Sequence, residues 1–436
     1  MSDTVAAVKA AKQAALRMAA LSTAVKDAAL KAMAEAIDTH REEILEANAK
    51  DMRAAEGSIP KEMLKRLSVN DNKIAEMIGS LESVIACEDP VGKTMSSVTM
   101  DDGLTMYQIR CPIGLIGIVF EARPDVIPQV MSLCLKSGNA VCFKGGSEAR
   151  ESNRVLFDIL QTAASSAGVP PEAFVLLESR EDIAEILKLD QYIDLMIPRG
   201  SYSFVRYIQD NTRIPVLGHA AGVCHVYVDG EAHMQKALDV ALDSKIQYPA
   251  VCNAAEKLLV DERIASYFLP RIVDLYVRNG VEVRIQDGLQ KYLVGFDVKV
   301  ATDDDWYAEY DDLVIAIRVV KGVKDAVDFI NSHGSHHSET IVTENRDTFD
   351  YFMRNTDSAD ILLNASTRFA DGFRLGLGAE IGIATGKIHA RGPMGMEGLM
   401  IYKYVVIGDG HVVKDYSGAN PVKHYKHIRT DAKYGE

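Results

Sequence analysis

A chain of 436 residues is too long for a single core and comfortable for two domains of ordinary size. With 47% hydrophobic and 25% charged residues, 31 Gly and 13 Pro, the composition excludes disordered and fibrous classes. The formal charge of −14, with Lys and Arg scattered among Asp and Glu, excludes the basic stripe that nucleic acid requires, and no apolar run approaches a membrane span or a signal-peptide core.

Residues 3–55 and 61–87 carry apolar side chains at helical spacing, interrupted by a turn around Gly57 and Pro60, and predict amphipathic helices packed on a larger body. The segment 96–111 alternates in strand fashion on either side of Asp102–Gly103, which predicts a hairpin. From Leu115 the pattern changes. LIGIVF, AVCFKG, FVLLES and IDLMIP read as short apolar strands, separated by helical stretches, and predict a parallel sheet covered on both faces. Such sheets bind ligands at the carboxyl ends of their strands.

A second alternating series starts at CHVYVDG and runs through EKLLVDERI, VEVRI, LVIAIRVV and DAVDFIN, giving a second doubly wound α/β domain. The expected partition is therefore 1–224, 225–395 and 396–436. The last part returns to strand pairing on both sides of Gly408–Asp409–Gly410, either with the hairpin near residue 100 or with another subunit.

Six cysteines (Cys87, Cys111, Cys134, Cys142, Cys224, Cys252) lie far apart without CxxC pairs, which suits neither zinc nor a disulfide framework and fits a cytoplasmic protein. Burial as small apolar residues explains most of them. Cys252 differs. It lies between a helix running out near Ile246 and the strand EKLLV, in a loop with Pro249 and Asn253, where a scaffold presents a nucleophile. After the first parallel strand Gly114 and Gly117 give only GxxG, so the usual dinucleotide fingerprint is missing. Lys144, Gly145, Gly146 and Ser147 stand between a strand and a helix and offer a cation and bare amides to a phosphate. Gly200–Ser201 repeats that placement, and ordinary strand-to-helix turns are the competing reading of both. His333, His336 and His337 cluster without the carboxylates or cysteines that would complete a metal site, so no metal is expected.

Over essentially its whole length the sequence resembles the gamma-glutamyl phosphate reductases of the aldehyde dehydrogenase superfamily. The specific stretches are CPIGLIGIVFEARPDVI (111–127), KGGSEA (144–149), QYPAVCNAAE (247–256), DAVDFINSHGSHHSETIVTE (325–344), LNASTRFADG (363–372), LGLGAEIGIATGKIHARGPMG (375–395) and YKYVV (402–406). The resemblance implies an aldehyde dehydrogenase-like fold: an NADPH-binding domain, a catalytic domain and a small β-ribbon for homo-oligomerisation. It also implies NADPH-dependent reduction of L-glutamyl 5-phosphate to glutamate 5-semialdehyde, the second step of proline biosynthesis from glutamate, through a Cys252 thioester.

Three departures from ordinary aldehyde dehydrogenases fit that chemistry. Arg123 stands where those enzymes place an oxyanion-donating asparagine, and its paired N–H donors suit an acyl phosphate or its oxyanion. The segment 216–219, ending at His219, has no carboxylate where they keep the base that hydrolyses the thioester. Ser147 replaces the glutamate that in NAD-specific members holds the ribose hydroxyls, leaving room for a 2′-phosphate.

The resemblance further assigns Glu309 to the nicotinamide ribose, against a solvated acid in an acidic loop. Asn364, Ser366, Thr367, Arg368 and Arg391 are donors suited to an amino-acid carboxylate, against structural turns. The Cys252 backbone N–H, with Arg123 or Asn253, is the expected oxyanion hole. A separate glutamate 5-kinase is the expected source of the labile substrate. The rival readings are a CoA-acylating aldehyde dehydrogenase and a non-catalytic protein retaining the fold.

Overall fold

The computed structural model describes residues 3–178, 181–218 and 221–435. The chain divides into two compact units, one of Met1–Gly200, Tyr207–Val216 and Gly395–Glu436, the other of Ser201–Arg206 and Leu217–Met394.

The first unit opens with five helices: α1 (Asp3–Met18), α2 (Thr23–Thr39), α3 (Arg41–Ala55), α4 (Lys61–Leu67) and α5 (Asp71–Ala86). The two long helical stretches expected from spacing are broken where capping residues stop the pattern. Ser22 accepts the Val25 N–H to begin α2, and Asn70 accepts that of Lys73 to begin α5. Strands β1 (Thr94–Asp101) and β2 (Leu104–Pro112) form the hairpin around Asp102–Gly103, with Gly103 at φ +70°. There follow β3 (Leu115–Phe120), α6 (Val126–Lys136), β4 (Ala140–Gly145), α7 (Arg150–Ser166), β5 (Phe174–Leu177), α8 (Glu181–Ile186), β6 (Leu195–Arg199) and α9 (Tyr202–Asp210). β3 to β6 pair in parallel in the order β5-β4-β3-β6. Every residue of β3 and β4 is buried, which is why these segments lack polar alternation.

The second unit contains β7 (Cys224–Val228), α10 (Met234–Ile246), β8 (Ala255–Asp261), α11 (Ala265–Arg278), β9 (Glu282–Ile285), β10 (Lys299–Val300), β11 (Val314–Val320), α12 (Val323–His333), β12 (Ser338–Val342), α13 (Arg346–Asn355) and β13 (Asp360–Leu363). Its seven strands are all parallel, in the order β10-β9-β11-β8-β7-β12-β13. One core packs α10 and α11 against β7, β8 and β9, and a second lies around Tyr227, Trp306, Phe329 and Phe352. A small antiparallel pair, β14 (Gly382–Ala384) and β15 (Gly392–Met394), ends the unit.

β16 (Met400–Ile407) then returns to the first unit and pairs antiparallel with β2, from Met400 opposite Pro112 to Ile407 opposite Thr105. Of the two pairings open to the ribbon, this structure contains the one with its own hairpin. The strand expected beyond Gly410 does not form. His411 contacts the Asp102 carbonyl at 3.1 Å and Tyr416 donates to Asp101 at 2.8 Å, so residues 411–416 cross the hairpin end instead of returning along β16. The last strand is β17 (Ile428–Thr430), on the far side of β1. Among the described residues, no helix is long and apolar enough to cross a membrane.

Candidate active site

In the first unit the candidate ligand residues collect at the carboxyl ends of β3, β4 and β6. The strand order reverses between β3 and β6, which is where doubly wound sheets open a crevice. Two backbone bonds tie the three loops together: Gly146 N–H to Phe120 O at 2.9 Å and Glu121 N–H to Arg199 O at 3.0 Å. Arg123 is half-buried directly after Ala122, which adopts a left-handed φ of +42°. That conformation costs about 1–3 kcal/mol in a non-glycine residue and is held by Glu148, whose Oε1 accepts the Ala122 N–H at 2.6 Å.

Gly145 and Gly146 are glycines because neighbours approach closely. A Cβ on Gly145 would sit 3.1 Å from the Phe120 ring, and one on Gly146 would sit 2.5 Å from the Glu148 carboxyl carbon. The first amides of α7 are already engaged, since Asp51 from α3 accepts Glu151 N–H at 3.2 Å and Ser152 N–H at 2.7 Å. Bare backbone is thus offered by the Gly145–Ser147 turn and not by the helix end itself. Lys144 is buried, with Nζ on the Gly145 carbonyl at 2.6 Å, while Ser147, Gly200 and Ser201 are exposed. Tight glycines beside an exposed hydroxyl and a cation suit a dinucleotide phosphate.

In the second unit Cys252 is half-exposed in the loop leading into β8, at the amino end of the parallel sheet and not at the carboxyl end. Its backbone is hemmed in from β7. A Cβ on Gly222 would overlap the Cys252 carbonyl oxygen and lie 2.5 Å from its Cα, and the Cys224 thiol donates to the Cys252 carbonyl at 3.1 Å. Burial pushes that second thiol well above its ordinary pKa, so it serves as a neutral donor.

The loop is also stitched to residues 366–374 on either side of the nucleophile. Gln247 Oε1 accepts from Arg368 Nε at 2.8 Å, and Asn253 Nδ2 donates to Ala370 O at 2.7 Å. Arg368 is 6% exposed, and burial followed by the like charge of Arg374 pushes its guanidinium below its ordinary pKa, against the opposing charges of Asp371, Cys252 and Asp243. Ser244 ties this segment down by hydrogen bonds to Ser366 Oγ at 3.2 Å and from Thr367 N–H at 3.1 Å.

Glu309 is half-buried in a loop braced on both sides. Lys257 donates to the Ala308 carbonyl at 2.6 Å, and Tyr310 donates to Asp305 at 2.7 Å. Burial pushes Lys257 down and the neighbouring Glu256 up, as expected of charges taken out of water.

Other candidate residues face elsewhere. Asn364, at φ +53°, clamps both backbone groups of Thr343. Arg391 bonds to Asp357 Oδ1 at 3.0 Å and to the Thr385 carbonyl at 3.2 Å. The three histidines diverge: His333 stacks on Phe329 at 4.1 Å, His336 contacts the Asp357 carbonyl at 2.6 Å, and His337 contacts Ser338 at 2.8 Å. His219 lies outside the described residues. Sequence reasoning did not single out Asp51, Glu148, Gly222, Cys224, Gln247 or Arg374 for the site. The local signal was weak, since all but Arg374 act through a neighbour distant in the chain.

Two parallel-sheet units, one presenting a cysteine, form the architecture of the aldehyde dehydrogenases, and a model of the aldehyde dehydrogenase family matches residues 1–290. That family uses NAD or NADP. A gamma-glutamyl phosphate reductase from Methanosarcina mazei is 53% identical over 97% of both chains, and one from Methanococcoides burtonii is 52% identical over 98% of this chain and 97% of its own. The crystal structure of the gamma-glutamyl phosphate reductase from Thermotoga maritima matches with a TM-score of 0.91 at 42% identity, covering 94% of this chain and 100% of that one. The chain therefore belongs to the aldehyde dehydrogenase family, among its gamma-glutamyl phosphate reductases.

Proposed function

We propose that this protein reduces L-glutamyl 5-phosphate to L-glutamate 5-semialdehyde with release of phosphate, using NADPH and a Cys252 thioester. The observation that carries the reading is the presentation of Cys252: its backbone is gripped by Gly222 and Cys224 while its side chain stays half-exposed. A fixed backbone with an accessible sulfur keeps the nucleophile in an attacking geometry.

The Cys252 thiolate attacks the acyl carbon, the C–S bond forms, and the C–O bond to phosphorus breaks with its electron pair leaving on phosphate. The Cys252 N–H is the oxyanion donor nearest the sulfur by covalent connection. Asn253, whose Nδ2 is engaged with Ala370, acts by holding that loop. On the family resemblance Arg123 is the candidate second donor, and each such donor contributes about 2.7–4 kcal/mol. When bound, the reduced dinucleotide supplies the hydride that converts the thioester to a thiohemiacetal. Collapse of the thiohemiacetal expels the Cys252 thiolate and releases the aldehyde.

In the first unit Lys144, Gly145, Gly146, Ser147 and Gly200 are assigned to the cofactor's phosphates; in the second, Ser201 is assigned to the phosphates and Glu309 to the nicotinamide ribose. NADPH is preferred over NADH because Ser147 leaves space and the Glu148 carboxylate is turned onto the Ala122 amide. Ser366, Thr367 and Arg368 face the substrate, and Asn364 and Arg391 shape the loops that carry them.

The protein works in the cytoplasm, which suits six unpaired thiols, and takes its substrate from a glutamate 5-kinase. It self-associates through the ribbon, whose edge strand β16 exposes Tyr402, Tyr404 and Val406.

The test is phosphate-dependent oxidation of glutamate 5-semialdehyde, followed as formation of reduced cofactor from NADP and from NAD, with CoA replacing phosphate in a parallel reaction. Turnover with phosphate and NADP is expected. Turnover with CoA alone, or none with either acceptor, sinks the reading.

A further inference from the structure

Arg368 is a buried cation that, among the described residues, has no carboxylate within ion-pairing distance, although Asp371 and Asp243 act on it from further off. Of the buried lysines, Lys26, Lys136 and Lys245 each have a carboxylate partner, Asp89 at 2.9 Å, Asp27 at 2.5 Å and Glu256 at 3.0 Å, whereas Lys144 and Lys257 rest on backbone carbonyls. The Arg368 guanidinium has instead the neutral Gln247 amide oxygen, at 6% exposure. A charge taken out of water with only distant counter-charges is unfavourable, and an anion brought by a ligand would relieve it.

A second guanidinium stands beside it. Arg374 donates from Nη1 to the Arg368 carbonyl at 3.0 Å, keeps a loose contact of 3.4 Å with Asp371 and is 34% exposed. Two planar donors of like charge on one short segment suit a dianionic tetrahedral group better than a monoanionic carboxylate. The position agrees, because the Gln247 and Asn253 bonds fasten this segment to the nucleophile's loop on either side of Cys252. In a γ-glutamyl phosphate the bridging phosphoryl oxygen is bonded to the carbon under attack, whereas the α-carboxylate carbon is the fourth carbon further along.

We propose that Arg368, with Arg374 beside it, seats the phosphoryl group of the acyl donor and the phosphate that departs, so that these two residues select an acyl phosphate over other activated acyl groups. The proposal rests on the acyl-phosphate reading above and names the residues that would enforce it. Neutralising the departing phosphate makes it a better leaving group, and the reverse reaction draws phosphate to the same place.

The experiment measures binding without turnover. Alkylation of Cys252 by iodoacetamide is followed by mass spectrometry of its peptide, with inorganic phosphate or L-glutamate as the probe. Phosphate should slow alkylation of the wild-type protein and raise its melting temperature, and glutamate at equal concentration should do neither. In Arg368→Gln the phosphate concentration needed for half protection should rise at least about tenfold, the loss of one charge-assisted hydrogen bond. Arg374→Gln should show a smaller rise, and it carries the test if Arg368→Gln fails to melt cooperatively. Unchanged protection in Arg374→Gln and in a folded Arg368→Gln, or protection by glutamate instead of phosphate, overturns the proposal. Phosphate-dependent turnover by a wild-type protein whose Cys252 phosphate never protects removes the seat and leaves the activity standing. Protection without turnover upholds the seat and removes the activity.

Discussion

The four-stranded sheet and the seven-stranded sheet are both fully parallel, yet their candidate functional residues stand at opposite ends. In the first, Arg123, Gly145, Gly146 and Gly200 follow the carboxyl ends of β3, β4 and β6, where backbone amides turn outward to meet an anion. In the second, Cys252 precedes β8. The carboxyl ends of β7 and β8, where the usual rule would place a ligand, are filled by Asp229, Asp261 and Arg263, with Arg263 donating to the two carboxylates at 3.1 and 2.7 Å. Asp229 and Asp261 are buried there, while the Arg263 side chain stays 56% exposed. A parallel sheet therefore offers two ends, and the functional residues of the two sheets do not share the same one.

The largest expected effect breaks the comparison at Cys252 itself. Cys252→Ser should lower turnover by about 10⁴-fold or more while leaving NADPH binding nearly unchanged, measured by initial rates and by cofactor fluorescence titration. If the comparison is right, the two ends fail independently, and a parallel loss of cofactor affinity would contradict that.

Gly222→Ala tests the grip on the nucleophile. The added methyl overlaps the Cys252 backbone, and a displacement near 1 Å should lower kcat by about 10²-fold. Circular dichroism should show the fold retained, and unchanged kcat would mean that the β7 contact does not position Cys252.

At the other end, Ser147→Glu places a carboxylate where the 2′-phosphate is proposed to sit. The ratio of kcat/KM for NADPH over NADH should fall about tenfold, the scale of one repulsion near the surface. A constant ratio would move the phosphate site elsewhere.

The smallest effect concerns pH. Burial pushes the Asp360 carboxyl up to about 6. The folded state therefore holds a proton that the unfolded chain gives up near pH 4, so this contribution is full below pH 4 and is lost as pH rises through 6. Asp360→Asn should flatten that fall, seen as melting temperatures that differ less between pH 4.5 and pH 6.5 than in the wild type. An equal slope in both proteins would remove Asp360 as its source.

Legibility in the sequence followed the range of the interaction. The hairpin at Asp102–Gly103 was readable because turn chemistry is set by adjacent residues, and β3 and β4 were readable because double burial removes polar alternation. Cys252 stood out by its loop and by the motif around it. Its grip was not readable. Gly222 and Cys224 lie about thirty residues upstream and reach Cys252 only because β7 pairs with β8 in this register. The histidine cluster shows the limit of proximity along the chain, because three side chains close in sequence take different partners in the fold.

The sequence by itself determined the two alternating α/β series, the hairpin, the presented cysteine and the family resemblance, because hydrophobic period, turn residues and motif spacing are local properties of the chain. Tertiary structure alone decided that Asn364 and Arg391 clamp loops, that Asp51 caps α7, that residues 411–416 leave the ribbon and that Arg368 is buried against the Gln247 amide. Each depends on partners tens of residues or more away, and the partner of a polar group is fixed by which backbone segments the packed core brings together.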